Sequence, residues 1–142
     1  MPFHVCYYHV VWTTKNRAPW VLANTEQHLI TAIRDKSQSL KSRVESVNAC
    51  IDHIHVAVQI TPSLSISDWV RQVKGYSSFH INRLFPDAAE KFRWQESYGV
   101  QTFGAKQLPF IVSYIELQKQ HHDANTIYAY LEKTGDDESD LN

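Results

Sequence analysis

Residues 53–60, HIHVAVQI, alternate with a period of two, so that on an extended chain Ile54, Val56, Val58 and Ile60 share one face and His53, His55, Ala57 and Gln59 the other. The first face belongs to a core. The second sets two imidazoles side by side, about 7 Å apart along the backbone at the usual rise per residue. Three further runs read as strands. FHVCYYHVVWTT (3–14) is rich in β-branched and aromatic residues and is broken by KNRAP. RVESVNACI (43–51) almost abuts 53–60, as a tight hairpin or a bulged pair does, and Pro62 closes the pair. FRWQESYGVQTFG (92–104) reads as a fourth strand, with Gly99 as the place for a kink.

Between these runs the period becomes helical. Asn24 followed by Gln27 makes an N-cap for a helix whose stripe is Leu29, Ile30, Ile33 and Leu40. Ile66, Trp69, Val70, Val73, Tyr76, Ser77, His80, Ile81 and Leu84 recur at three and four until Pro86, and the opposite face carries Arg71, Lys74 and Ser78. Pro109 opens PFIVSYIELQKQHH, with Ile111, Val112 and Ile115 toward the core, and a last short helix over about 125–133 precedes Gly135. The order β-α-β-β-α-β predicts a ferredoxin-like α+β fold: one antiparallel sheet with helices on one face, an appended C-terminal helix, and the other face free for a site or a partner.

A chain of 142 residues, 43% of them hydrophobic, fits one domain, expected over 1–134, followed by an acidic, disordered tail at 135–142. No stretch approaches the roughly 20 apolar residues of a membrane helix, and no signal segment opens the chain, so a cytoplasmic protein with no membrane partner is expected. Cys6 and Cys50 stand alone, without the spacing of a zinc or redox motif. The net charge of −1 conceals an uneven distribution. Glu132, Asp136, Asp137, Glu138 and Asp140 against Lys133 give the last eleven residues −4, which leaves +3 on residues 1–131. Cations gather at Lys15 and Arg17 and along the long helix at Arg71, Lys74 and Arg83, the candidates for phosphate contact. Trp12, Trp69 and Trp94 read as core; Trp20, beside Pro19, is the tryptophan placed to meet a base.

A lone HxH on a half-exposed strand is close enough to share one metal ion, but two ligands alone make a poor site, and the first reading of such a pair is one or two hydrogen-bonded polar groups. The late helix adds a second feature. Tyr114 and Gln118 are i and i+4, on one face, beside the face that Ile111 and Ile115 turn to the core. A phenol and an amide are expected to look outward together.

YYHVVWTTKNR, DHIHV, the SYGVQTFG strand and YIELQKQHH, in this order, resemble the single-tyrosine HUH transposases of small insertion sequences and their REP-associated relatives, over nearly residues 5–134. His53-Ile54-His55 matches the family's His-hydrophobic-His motif, Tyr114 and Gln118 its nucleophile and the glutamine four residues on, and His121-His122 its trailing pair. The resemblance implies an enzyme that cuts and rejoins single-stranded DNA beside hairpins through a 5′-phosphotyrosine at Tyr114, working as a homodimer. It implies a divalent metal, Mg2+ or Mn2+, on His53, His55 and Gln118. Such an ion would neutralise charge on the phosphate and align it. The covalent link conserves the energy of the broken bond, so no nucleotide cofactor is expected. Family members are commonly basic throughout, whereas here DNA binding must fall to Lys15, Arg17, Arg71, Lys74 and Arg83. Two rivals follow from the same residues: a domesticated module that holds hairpins without cutting, and a phosphohydrolase using the histidines alone, which leaves the YxxxQ spacing without a purpose.

Overall fold

A computed structural model describes residues 3–124 and 127–136. Four strands, β1 (Tyr7–Thr13), β2 (Arg43–Cys50), β3 (His53–Gln59) and β4 (Gly99–Phe103), form one antiparallel sheet in the order β2-β3-β1-β4. Helices α1 (Ala23–Ser39) and α2 (Ile66–Leu84) join them in the expected ferredoxin-like order. Alternation sorts the side chains as the sequence implies. Ile54, Val56 and Val58 of β3 and Val10 and Trp12 of β1 pack with Leu29 and Ile33 of α1 and with Trp69, Val70 and Val73 of α2. Trp12 meets Trp69 and Trp94 edge-on at 6.2 and 5.8 Å between ring centroids.

The opposite face is covered, not free. Helices α3 (Leu108–Glu116), α4 (Gln118–Asp123) and α5 (Ala129–Glu132) lie across it, and Ala57 packs there with Ile111, Tyr114, Ile115 and Leu131. The late helix breaks at Leu117, whose φ of −100° and ψ of 19° end α3 and begin α4. The break is held from the sheet. Asn48 of β2 donates its side-chain amide to the carbonyls of Ile115 (3.0 Å) and Glu116 (3.1 Å), supplying partners to carbonyls that a helix end leaves unpaired.

Three boundaries differ from the sequence pattern. The cap of α1 is Leu22, whose N–H is accepted by the Thr25 hydroxyl at 2.9 Å, so Asn24 lies inside the helix. The expected strand 92–104 is a strand only from Gly99. Phe92 and Trp94 turn into the core beneath α2, leaving a single bridge between Thr14 and Trp94, and the ammonium of Lys74 takes the carbonyls of Gln95 and Ser97 that a ladder would have used. Lys74 is therefore buried, in contrast to its expected place on the exposed face of α2. The last helix is the single turn α5; residues 125–126 of the expected span, and 137–142 of the expected tail, lie outside the described residues.

The segment carrying α5 is strapped across β4. Gln101 donates its amide to the carbonyl of Tyr130, and Ser97 donates its hydroxyl to that of Thr134 at 2.9 Å. Gly99 makes the approach possible: a Cβ there would sit 1.7 Å from the Lys133 carbonyl oxygen. Among the described residues no helix is long and apolar enough to cross a membrane.

Candidate active site

The histidine face of β3 lies beneath this cover. His55 is fully buried and His53 nearly so, each with a polar partner behind its ring. Asp52 Oδ1 accepts from His53 Nδ1 at 2.7 Å, and Arg17 reaches the other Asp52 oxygen at 3.6 Å. Behind His55 runs a longer relay. Gln101, oriented by its bond to Tyr130, offers Oε1 to His9 Nδ1 at 3.0 Å; His9 Nε2 in turn meets His55 Nδ1 at 2.8 Å. Burial lowers the His9 pKa, so this ring is neutral. Its single proton serves Gln101, and His9 Nε2 accepts the proton of His55 Nδ1. The relay thus occupies His55 Nδ1 and leaves its Nε2 aimed into the cluster, as the buried partner of a metal-ligating histidine does.

Five side chains converge in front of the strand. Glu132 Oε1 lies 3.4 Å from His53 Nε2, 3.1 Å from His55 Nε2 and 3.1 Å from His122 Nε2. His122 Nε2 is also 3.1 Å from His53 Nε2 and from Gln118 Oε1. One ligand atom from each of His53, His55, His122 and Glu132 lies within 4.8 Å of the other three. The charges are set by the surroundings. Burial opposes a charge on His53, yet its hydrogen bonds to Asp52, Cys50 and Glu132 prevail and take its pKa up to about 11. Burial takes His55 down to about 3. Burial works against the charge of Glu132 as well, but the hydrogen bonds from His53 and His55 hold its carboxyl far below the usual carboxylate range. Within the side chains alone, the positive charge opposite Glu132 is a proton on His53.

The donor set fits a divalent ion. His55 Nε2 and Glu132 Oε1 face each other at 3.1 Å, with His53 and His122 on the same oxygen. A divalent ion standing against these atoms would replace the protons that now lie between them. Imidazole, amide and carboxylate together suit manganese or a zinc-like ion better than magnesium, which favours an all-oxygen shell.

Tyr114 completes the constellation. Its hydroxyl donates to Glu132 Oε2 at 2.5 Å and accepts from the Tyr128 N–H at 3.0 Å. Its ring stands edge-on to His55 at 6.0 Å and stacks on His121 at 4.7 Å. The trailing histidines therefore divide: His121 packs on the phenol and His122 enters the cluster. Tyr114 and Gln118 share a face, as their spacing predicts, but that face turns inward, and both residues are buried. Burial, reinforced by the bond to Glu132, pushes the phenol up to about 12.

The expected DNA contacts lie on a different surface. A groove of about 1050 Å³ runs between α2 and residues 91–98; Arg71, Lys74, Arg83, Lys91 and Arg93 line it, with Phe79, Trp94 and Tyr98 at its wall and Glu96 the acid among its lining residues. Lys15 borders the adjoining hollow together with Lys91 and Arg93. Lys74 contributes least, because its amine is spent on two carbonyls and burial lowers its pKa to about 8. Arg17, in the left-handed region at φ 53°, is turned to Asp52 and so stands at the rim of the histidine cluster. Trp20 donates to Glu90 at 3.0 Å and packs on Phe92.

Several site residues escape a reading of the sequence. Glu132 counts there as one acid of an acidic tail, yet Leu131 beside it is apolar in an acidic stretch and anchors the strap. His9 and Gln101 occupy alternating positions on β1 and β4 that face each other in register, a pairing visible only once the strand order is known.

The family described as IS200-like transposase matches residues 2–118. The transposase of insertion sequence IS200 from Salmonella typhimurium is 30% identical over 117 residues, covering 80% of this chain and 76% of its own. The ISDra2 transposase TnpA of Deinococcus radiodurans is 28% identical over 115 residues, covering 78% and 82%. A crystal structure of a candidate transposase from the same bacterium superposes with a TM-score of 0.68 at 26% identity, covering 82% of this chain and 93% of that one. A REP-associated tyrosine transposase bound to a REP hairpin shares the fold, with a TM-score of 0.63 at 15% identity over 86% and 73% of the two chains. The matched region carries the two histidines of β3, Tyr114 and Gln118, and on that match the chain belongs to the IS200-like transposase family.

Proposed function

We propose that the chain, through a catalytic domain at 1–134, is a metal-dependent single-strand DNA endonuclease and strand transferase that cuts and rejoins DNA beside hairpins, with Tyr114 as nucleophile. The observation that carries this reading is the meeting of the Tyr114 hydroxyl with the His53–His55 pair across one carboxylate, Glu132. Tyr114 oxygen attacks the phosphorus, the bond to the 3′ oxygen breaks, and the products are a 5′-phosphotyrosine and a free 3′-hydroxyl. The phenol proton has an acceptor in place at Glu132 Oε2, which matters because burial makes this phenol harder to ionise than a free one. His53, His55 and Gln118 would hold the divalent ion, Mn2+ or Mg2+, whose chemistry is to neutralise charge on the non-bridging phosphate oxygens. The test is incubation with labelled hairpin DNA and Mn2+. A denaturation-resistant protein–DNA adduct that vanishes with chelator is expected, and cleavage with no adduct would favour the phosphohydrolase instead.

The groove along α2 is the proposed path of the nucleic acid, with Lys15 and Arg17 leading from it to the histidine cluster. The REP-associated fold neighbour is itself bound to a REP hairpin, which supports a hairpin as the partner. Phosphate binding is sequence-independent, so Arg71→Ala and Arg83→Ala are each expected to weaken binding about equally for all sequences and to lower the salt slope by roughly one for every phosphate no longer neutralised. Lys74→Ala is expected to act chiefly on stability, by freeing the carbonyls of Gln95 and Ser97. Titrations at several salt concentrations, beside melting curves, separate the two effects.

A cytoplasmic homodimer remains the proposed working form. Within one chain Tyr114 stands edge-on to His55 and bonds Glu132, which supports a site built from a single subunit. Mixing Tyr114→Phe subunits with His53→Ala subunits is then expected to restore no cleavage; recovery of activity would show that the tyrosine works in its partner's site.

A further inference from the structure

The family match ends at Gln118, yet the cluster continues past it into α4 and α5. We infer that Glu132 and His122 are ligands of the same ion as His53, His55 and Gln118, Glu132 binding through Oε1 while its Oε2 holds the Tyr114 hydroxyl, so that one carboxylate ties the nucleophile to the ion. The inference rests on the metal-dependent reading above and extends its ligand set.

Three observations support it. The first is spacing. Ligands about 2.1 Å from one ion stand about 3.0 Å apart at a right angle and about 3.4 Å apart at the tetrahedral angle. Glu132 Oε1 is 3.1, 3.1 and 3.4 Å from the Nε2 atoms of His55, His122 and His53, and His122 Nε2 is 3.1 Å from Gln118 Oε1. The second is orientation. The Gln101–His9 relay occupies His55 Nδ1 and holds the ring so that its other nitrogen, Nε2, is the atom turned to Glu132 Oε1, where an ion standing against both would take the place of the proton between them. The third is construction. The strap that delivers Glu132 is tied by Gln101 to Tyr130, by Ser97 to Thr134 and by the Tyr128 N–H to Tyr114, and it crosses β4 where only glycine leaves room. A tail lying over the site by chance has no use for such fixings.

Mn2+ binding to the full chain without DNA, followed by calorimetry, tests this independently of cleavage, and the visible absorption of a Co2+-loaded sample reports the ligand set. Glu132→Gln keeps shape and removes the charge; it is expected to weaken Mn2+ at least about tenfold and to change the Co2+ spectrum. Gly99→Ala keeps every donor but displaces the Lys133 carbonyl, and is expected to weaken Mn2+ in the same direction. His55→Asn serves as the reference for the underlying site. Loss of affinity in His55→Asn with none in Glu132→Gln overturns the inference and leaves the family site standing. Tighter binding in Glu132→Gln also overturns it, and identifies the carboxylate as a competitor that the metal must displace. No loss in His55→Asn overturns the metal-centre reading itself.

Discussion

Tyr114→Phe is expected to abolish the covalent adduct and the release of a 3′-hydroxyl while leaving Mn2+ affinity and hairpin binding near those of the parent. The substitution removes one oxygen and almost no volume, and the ring keeps its stack on His121 and its edge against His55. It is not silent for stability. Without the hydroxyl, the Tyr128 N–H has no acceptor and Glu132 Oε2 no donor, in a site where the tyrosine is 2% exposed. An unpaired group of this kind costs about 1–3 kcal/mol, so melting a few degrees below the parent is expected. Denaturing electrophoresis of protein with end-labelled hairpin reads the chemistry, and calorimetry reads the fold. Nicking by the phenylalanine variant would assign the attack to water and return the histidines to a phosphohydrolase.

What the sequence reveals of this machine follows the range of each signal. The faces of β3 are legible because the period of a strand is local: four apolar residues against His53 and His55 need no knowledge of the rest of the chain. The spacing of Tyr114 and Gln118 is legible for the same reason, since i and i+4 share a helix face whatever the helix packs on. Which way that face points is not local. It turns inward because Asn48, on a strand 66 positions before Tyr114, holds the carbonyls at the break in the late helix. Lys74 shows the same limit from the other side. Helical periodicity sets it beside Arg71 and Ser78, but the segment 92–98 leaves the sheet and folds over it, so a surface charge becomes a buried tether. Glu132 is the hardest case. Its role depends on a chain crossing at Gly99, and neither residue implies the other in sequence.

His53→Ala and His55→Ala are both expected to eliminate cleavage and to weaken Mn2+ severely, but they are expected to differ in what they do to the fold. The alternation of β3 alone suggests that both truncations spare the protein, since neither imidazole faces the Ile54, Val56 and Val58 core. Burial changes that for His55. It lies between His9, stacked at 5.1 Å, and Tyr114, at 0% exposure, so truncation opens a cavity under α3 and leaves His9 Nε2 without its donor. Cavity and unpaired nitrogen together place the cost at about 2–5 kcal/mol. His53 lies nearer the rim, with Asp52 and Arg17 beyond it, and that ion pair survives its removal, so a smaller loss of about 1–2 kcal/mol is expected. His55→Asn, which keeps polar capacity toward His9, is expected to recover much of the stability and none of the cleavage. Melting curves set beside adduct formation at saturating Mn2+ separate the two losses. If His55→Asn cuts at the parental rate, the imidazole is a packing residue and the metal has to be sought elsewhere.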